Sequence, residues 1–476
     1  MGCGIAKSLR NLKPDPRQTD QSSRVSLNSF IKVSSEDLVG KYQMIKKIGS
    51  GSYSNVFLCL KKSTCQKSAL KVIQKDSLSN EMLDDELKCK KAAILRELDH
   101  PNIIKCFEIF EDASHIILSE EFIKGGTLLT YTKPKLPLTK IASILYQLLS
   151  AIVYCHDRHI VHRDIKLENI FVVPGSDMHI KLGDFGLATI KHPNEPINGF
   201  CGTLMFMAPE VFKDKYNEKI DIWSIGVLLY ILMTGNSPYT AANKESLENQ
   251  VRNFPLSCKR KGIQALGKDF AEYLEGFLKV NPDERFSAKE ALMHPWLQKF
   301  KDEDLSVHYR FIQRVLNIPH KSLMQKSISL YVNAFFANEK YLNELSKYFQ
   351  RLDKDGNGTI DRAELIDELK LSIDDIKSAK IVEDFFNNFD LNGNGVIDYM
   401  EFLTAFCLED SVLSEQNLEK VFTEVDKSKK GFVTKSEIEN FLGFKFGDLP
   451  NKIKNEARIS RKIRFQEFKY MAKNIQ

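Results

Sequence analysis

The sequence predicts an α+β chain, in which a first domain opens in short strands and an all-α domain follows. Three observations carry this reading. From about Tyr42, short apolar segments rich in β-type residues flank a glycine-rich turn, Ile48-Gly49-Ser50-Gly51-Ser52-Tyr53-Ser54-Asn55-Val56. Beyond residue 340, apolar residues such as Leu345, Phe349 and Leu352, then Phe402 and Phe406, recur at helical spacing around acidic twelve-residue loops. The length of 476 residues allows about three domains at roughly 150 residues each, so a single small module is excluded.

Composition narrows the class without naming a function. Apolar residues make up 43% and charged residues 28%, an ordinary globular balance. The net charge of +5 is too small over this length to argue for nucleic acid as the main partner. Nine scattered cysteines form no CxxC pair, which points to a reducing, cytoplasmic setting rather than to a disulfide framework or a zinc site. The longest strongly apolar run, around Ile225 to Met233, is about half of the roughly 20 residues needed to cross a bilayer.

The first residues, Met-Gly-Cys-Gly, fit an N-myristoylation start at Gly2, with Ala6 where Ser or Thr is usual. One acyl chain binds a bilayer only marginally. Cys3 as a palmitoylation site, with Lys7, Arg10, Lys13 and Arg17 nearby, would supply the second signal for a membrane surface. An unmodified polar tail is the alternative.

In the first domain, backbone N–H groups can approach phosphate oxygens closely where side chains are absent, which accounts for Gly49 and Gly51, while Ser54 replaces a third glycine. Ser68-Ala69-Leu70-Lys71 follows on a strand. Then come His162-Arg163-Asp164-Ile165-Lys166-Leu167-Glu168-Asn169, Asp184-Phe185-Gly186 and Ala208-Pro209-Glu210. Four motifs in this order resemble the eukaryotic protein kinases from about Tyr42 to Leu297 and imply their two-lobed fold.

That resemblance implies ATP and Mg²⁺ as cofactors, with Asp164, Lys166 and Lys71 as the catalytic set. Ile48, Gly49, Ser50, Gly51, Ser52, Val56, Lys71, Glu121, Asn169 and Asp184 would bind the nucleotide and its metal. Lys166 and Gly202-Thr203 are similar to the Ser/Thr class, and Glu168 to residues that face basic protein substrates, although Thr127 stands where many basophilic kinases carry glutamate.

Two departures surround one pocket. The family's helix glutamate, which normally pairs with the strand lysine, falls on Lys91, and Glu120 occupies the gatekeeper place. An unpaired buried charge is costly, so Glu120 is expected to pair with Lys71, with Lys91 or with both. Alternatively Glu86 or Glu97 is the true partner. Between Phe185 and Cys201 the activation segment offers only Thr189 as a hydroxyl, and Glu195 is a candidate permanent anion for Arg163.

In the all-α domain, loop 353–364 offers Asp353, Asp355, Asn357, Thr359, Asp361 and Glu364, and loop 390–401 offers Asp390, Asn392, Asn394, Val396, Asp398 and Glu401. Oxygens at places 1, 3 and 5, glycine at 6, a carbonyl at 7 and glutamate at 12 make an EF-hand calcium cage. Loop 426–437 keeps Asp426, Gly431 and Glu437 but has Lys430 at place 5, so poor or absent binding is expected. Loop 456–467 has Arg458 and Arg461 in place of a ligand and the glycine, leaving a structural remnant.

Between the domains, Met324, Ile328, Tyr331, Val332 and Phe335 form a helical apolar stripe, with Lys321 and Lys326 nearby, suited to an EF-hand groove or to permanent packing on the first domain. The whole order resembles the calcium-dependent protein kinases of plants and protists. It divides into a basic tail (1–40), a kinase domain (41–297), a junction (298–340) and an EF-hand domain (341–476). The resemblance implies a calcium-activated Ser/Thr kinase autoinhibited by its junction; the two intact and two degenerate loops of this sequence add the expectation that the first EF-hand pair senses and the second pair holds the helix. A calcium-responsive pseudokinase scaffold is the competing reading.

Overall fold

The computed structural model describes residues 32–34, 38–51, 54–75, 94–95, 98–112, 114–133, 135–175, 178–253, 261–300, 305–316, 318, 321, 323–336, 339–406, 413–442 and 462–473. Gly2, Cys3, Ser52, Glu86, Lys91, Glu97, Arg458 and Arg461, named above, lie outside them.

Six strands form one twisted sheet: β1 (Lys32–Ser34), β2 (Tyr42–Ser50), β3 (Ser54–Lys61), β4 (Gln66–Gln74), β5 (Cys106–Glu111) and β6 (His115–Glu121), in the order β1-β5-β6-β4-β3-β2. β1 joins β5 in parallel and the other pairs are antiparallel. The glycine-rich turn closes the β2–β3 hairpin, with Gly49 opposite Val56. β4 is central, so Ser68, Ala69, Leu70 and Lys71 are all buried, and Lys71 is thereby held beneath that turn, opposite Val56.

The second lobe is helical. Its axis is α1 (Leu138–Asp157), which packs on α2 (Lys219–Thr234) and on α4 (Ala288–Met293), with α3 (Lys268–Phe277) beyond α2. By length and composition α1 could cross a bilayer, which the shorter run at Ile225 to Met233 did not reveal, but 72% of its most apolar window is buried inside this lobe. Arg285 is fully buried and forks onto Glu210 through two bonds, NH1–Oε1 at 2.6 Å and NH2–Oε2 at 3.0 Å, tying the end of the activation segment to the lobe.

The last domain gathers around α5 (Leu323–Phe335), the junction helix. α6 (Glu339–Leu352) and α7 (Arg362–Lys370) flank the first loop. α8 (Asp375–Phe389) and α9 (Tyr399–Phe406) flank the second. α10 (Glu415–Val425), α11 (Lys435–Leu442) and α12 (Phe465–Lys473) complete the module. Met324, Ile328, Tyr331, Val332 and Phe335 are all buried, and α5 is in contact with α9, α10, α11 and α12. The apolar stripe thus lies in the EF-hand core. Phe107 of β5 enters the same cluster, its ring 5.3 Å from that of Phe335.

Candidate functional site

The cleft between the lobes brings five predicted residues together. Lys71 reaches from β4 to the Asp184 carboxylate. Burial disfavours the Lys71 ammonium, but Asp184 and then Glu120 overcome this and raise its pKa. Burial would also push Asp184 up, yet Lys71 holds it below the ordinary carboxylate range. Asp184 adopts a left-handed backbone (φ 59°) and accepts the Gly186 N–H at 3.2 Å, a costly conformation that aims its carboxylate into the cleft.

Below it, Asp164 is the hub of a polar network. Lys166 Nζ donates to Asp164 Oδ2 at 2.7 Å and to Thr203 Oγ1 at 2.8 Å. The Thr203 hydroxyl donates to Asp164 Oδ1 at 2.7 Å. Asn169 Nδ2 donates to the Asp164 carbonyl at 2.8 Å and to Oδ2 at 3.0 Å. Buried Asp221 fixes this loop from behind, accepting the N–H groups of His162 and Arg163, each at 2.9 Å. The arrangement leaves one carboxylate facing where a target hydroxyl would arrive, with an ammonium beside it.

Glu121 donates nothing from its side chain. Its carboxylate pairs with Lys181 at 2.8 Å and its N–H donates to the Lys105 carbonyl at 2.9 Å, which leaves its own carbonyl as the group to offer a nucleotide.

Among the described residues Glu120 makes no ion pair with Lys71, whose ammonium is committed to Asp184, and the expected alternative, Lys91, lies outside them. Register explains the remaining influence. Glu120 lies opposite Ala69 and Lys71 opposite Leu118, so the two are diagonal neighbours on one sheet face, roughly 7–8 Å apart in such ladders. Burial pushes Glu120 up to about 7, against the pull of Lys71.

Glu195 is not the anion for Arg163. It is exposed in a turn, and among the described residues the Arg163 side chain instead donates to the Leu187 carbonyl (Nε, 2.7 Å) and the Tyr216 hydroxyl (NH1, 3.3 Å).

The first EF-hand loop gathers oxygens of Asp353, Asp355 and Glu364 within 4.8 Å of one another. Among the described residues Asp353 Oδ1 is buried without a hydrogen-bond partner, and burial pushes that carboxyl up to about 8. Crowded, desolvated carboxylates of this kind fit a hard divalent cation. Gly358, with φ 76°, makes the turn, and Asn357 Oδ1 accepts the Thr359 N–H at 2.8 Å. Asp361 caps α7 and accepts the Glu364 N–H at 2.8 Å.

In the second loop Glu401 accepts the N–H groups of Leu391 and Asn392 at 2.8 and 3.0 Å, and burial beside Asp398 pushes it up to about 10. Asp390 accepts from Asn394 and Gly395, while Asn392 and Asn394 accept from the backbone two residues on. A short ladder, Thr359 opposite Asp398 and Ile360 opposite Ile397, joins the two loops and orients the Val396 and Thr359 main chains.

The third loop supplies its own cation. Lys430 Nζ sits 2.9 Å from Glu437 Oε1, where an incoming ion would need that carboxylate. The remnant fourth loop contributes Ile463, which bridges to Val433 in the same way that the first two loops pair.

Sequence reasoning missed the contacts between the kinase lobe and these loops. Lys289 Nζ reaches Asp355 Oδ2 at 2.9 Å, Arg158 NH1 donates to the Asn357 carbonyl at 3.3 Å, and Asp99 Oδ2 accepts the Met400 N–H at 2.9 Å. A Cβ on Gly356 or Gly358 would come within 2.2 Å of Leu292 or Tyr154, so the first loop lies flush against α1 and α4. Higher up, Glu424 of α10 accepts from Lys61 at 3.2 Å and from Ser63. These pairs are separated by up to 363 residues, and no local pattern signals them.

Comparison with known proteins agrees with the geometry. The protein kinase domain family matches residues 42–297 and the EF-hand domain pair matches residues 342–407. Calcium-dependent protein kinase 4 of Plasmodium falciparum is 32% identical over 92% of this chain and 84% of its own length. Calcium-dependent protein kinase 5 of Plasmodium berghei is 32% identical over 88% of this chain and 75% of its own length. Calcium-dependent protein kinase 9 of Arabidopsis thaliana is 29% identical over 90% and 78%. With a catalytic cleft, two intact EF-hand loops and an enclosed junction helix in one chain, the protein belongs to the calcium-dependent protein kinases and is a calcium-regulated serine/threonine kinase.

Proposed function

We propose that this kinase transfers the ATP γ-phosphoryl group with Asp164 accepting or orienting the hydroxyl proton of the target and Lys166 neutralising charge on the group in transit. The observation that carries it is the Asp164–Lys166–Thr203 network facing the Lys71–Asp184 pair. Lys71 aligns phosphates, the backbone from Ile48 to Gly51 covers them, and Val56 packs beside them. Asn169 and Asp184 hold Mg²⁺, which when bound neutralises the phosphate oxygens. Exposed Glu168 supports a preference for basic substrates.

Calcium regulation rests on Asp353, Asp355, Asn357, Thr359, Asp361 and Glu364 in the first loop and on Asp390, Asn392, Asn394, Val396, Asp398 and Glu401 in the second. Occupancy favours the arrangement in which α5 is enclosed by the EF-hand core, and without it the junction blocks the kinase. Enclosure of α5 by helices from both halves supports this. The Lys430–Glu437 pair supports a third loop that holds without sensing. In the full chain, Glu364→Gln with Glu401→Gln should reduce calcium stimulation of peptide phosphorylation by more than about tenfold, and Glu437→Gln should leave it within about twofold. Strong loss from Glu437→Gln alone would overturn the division of labour.

The Gly2 and Cys3 start, followed by basic residues, supports an acylated tail that brings the kinase to a cytoplasmic membrane surface. Incorporation of a myristate analogue by the wild-type chain, lost in Gly2→Ala, is the expected result; no label on wild type rejects the anchor.

A further inference from the structure

Thr189, the segment's one hydroxyl before Cys201, is fixed in a short strand pair opposite Val161, and the Arg163 guanidinium is bonded to the Leu187 carbonyl rather than to that hydroxyl. Arg163 nevertheless has a partner in the segment's neighbourhood. We propose that the hydroxyl of Tyr216 does the work commonly given to an activation-loop phosphate, joining Arg163 to the segment at Gly199 and thereby positioning Thr203 against Asp164.

Tyr216 is buried, and its own backbone forms a two-bond bridge with Ile197 (N–H to carbonyl at 2.8 and 3.1 Å), which fixes where its side chain emerges. The hydroxyl donates to the Gly199 carbonyl at 2.6 Å and accepts from Arg163 NH1 at 3.3 Å, and Cys201 Sγ lies 3.9 Å away. Gly199 is held from the other side by Asp214 Oδ1, which accepts its N–H at 2.7 Å. Three residues on, Gly202 passes so close to the Arg163 carbonyl that a Cβ would lie 2.7 Å from it. Thr203 then donates to Asp164.

Arg163 completes the circuit by bonding the Leu187 carbonyl, just after Asp184-Phe185-Gly186, and by giving its own N–H to Asp221. One hydroxyl thus ties the start of the segment, the catalytic loop and the end of the segment to a single guanidinium. A phenol is present from synthesis onward and takes no desolvated charge with it. The segment is therefore assembled without an upstream phosphorylation, and regulation falls to the EF-hand module.

Tyr216 is a positioning residue, since it acts through Arg163 and Gly199 and touches no reacting atom. The test is a double-mutant cycle in the full chain at saturating calcium, with wild-type turnover measured in parallel to establish that the kinase itself is active. Tyr216→Phe removes one oxygen and keeps the ring and the Ile197 bridge. It should lower kcat for a peptide about tenfold with the KM for ATP within about twofold, a loss of the size expected for a buried hydrogen bond to a charged group, while the chain stays folded at the assay temperature. In an Arg163→Met background the same change should have no further effect. Retention of wild-type kcat, multiplication of the two losses, or a fall in kcat matched by a rise in the KM for ATP would each overturn the proposal, the last because it marks a loss not confined to positioning Thr203 against Asp164.

Discussion

Glu120 shows how one side chain acts without a direct bond. It faces Ala69 and Cys106 across the sheet, lies diagonal to Lys71, and also senses Asp184. Its pKa rises from 4.5 to about 7 in the folded chain, so the native state holds this proton more tightly than the unfolded state does. Stability from this group is therefore complete below pH 4.5 and is lost as pH rises through 7. Glu120→Gln should abolish that decline, so the variant's stability advantage over wild type should grow between pH 5 and pH 8 to about 1–3 kcal/mol in paired denaturant titrations. An advantage independent of pH would mean that Glu120 stays ionised throughout. Since Lys71 also loses a supporting charge, the KM for ATP should rise in the same variant.

At the scale of elements, what could be read from the sequence was what backbone geometry forces into short spacings. A catalytic loop needs Asp164 and Asn169 five residues apart so that one can bond the other's carbonyl. A calcium loop needs Asp353, Gly358 and Glu364 at fixed places because the chain must turn once around an ion. The junction stripe was legible as helical, yet its setting was not: Ser327, Ser329 and Asn333 are buried as fully as Ile328, so α5 is enclosed on more sides than its apolar residues announce. Among the described residues the buried hydroxyls of Ser327 and Ser329 lack hydrogen-bond partners, a cost that enclosure imposes on this helix. Arg163 illustrates the opposite limit. Glu195, the acidic residue of the segment, was the natural candidate, and the true partner, Tyr216, lies 53 residues beyond Arg163 on a bridge no spacing rule encodes.

For the molecule as a whole, the contact between kinase lobe and EF-hand module falls on the calcium loops themselves. Lys289 holds Asp355 from outside, and Asp157 lies close enough to Lys289 to reinforce its charge. An ammonium there opposes a second cation at the same carboxylate. Lys289→Met should therefore tighten calcium binding at the first loop by about threefold in calorimetric titration of the full chain, an effect that shrinks in high salt because the pair is half exposed. Unchanged affinity would show that the ammonium does not compete for Asp355.

That shared surface makes the calcium set point a joint possession of both domains. Whatever factor docking changes in calcium affinity, calcium must change in docking, since the two are legs of one thermodynamic square. A titration of the excised EF-hand module thus measures a different molecule. Substitutions in the kinase lobe that touch no ion, at Lys289, Arg158 or Asp99, become dials on the concentration at which the enzyme wakes. Relatives with identical loops can answer to different calcium signals.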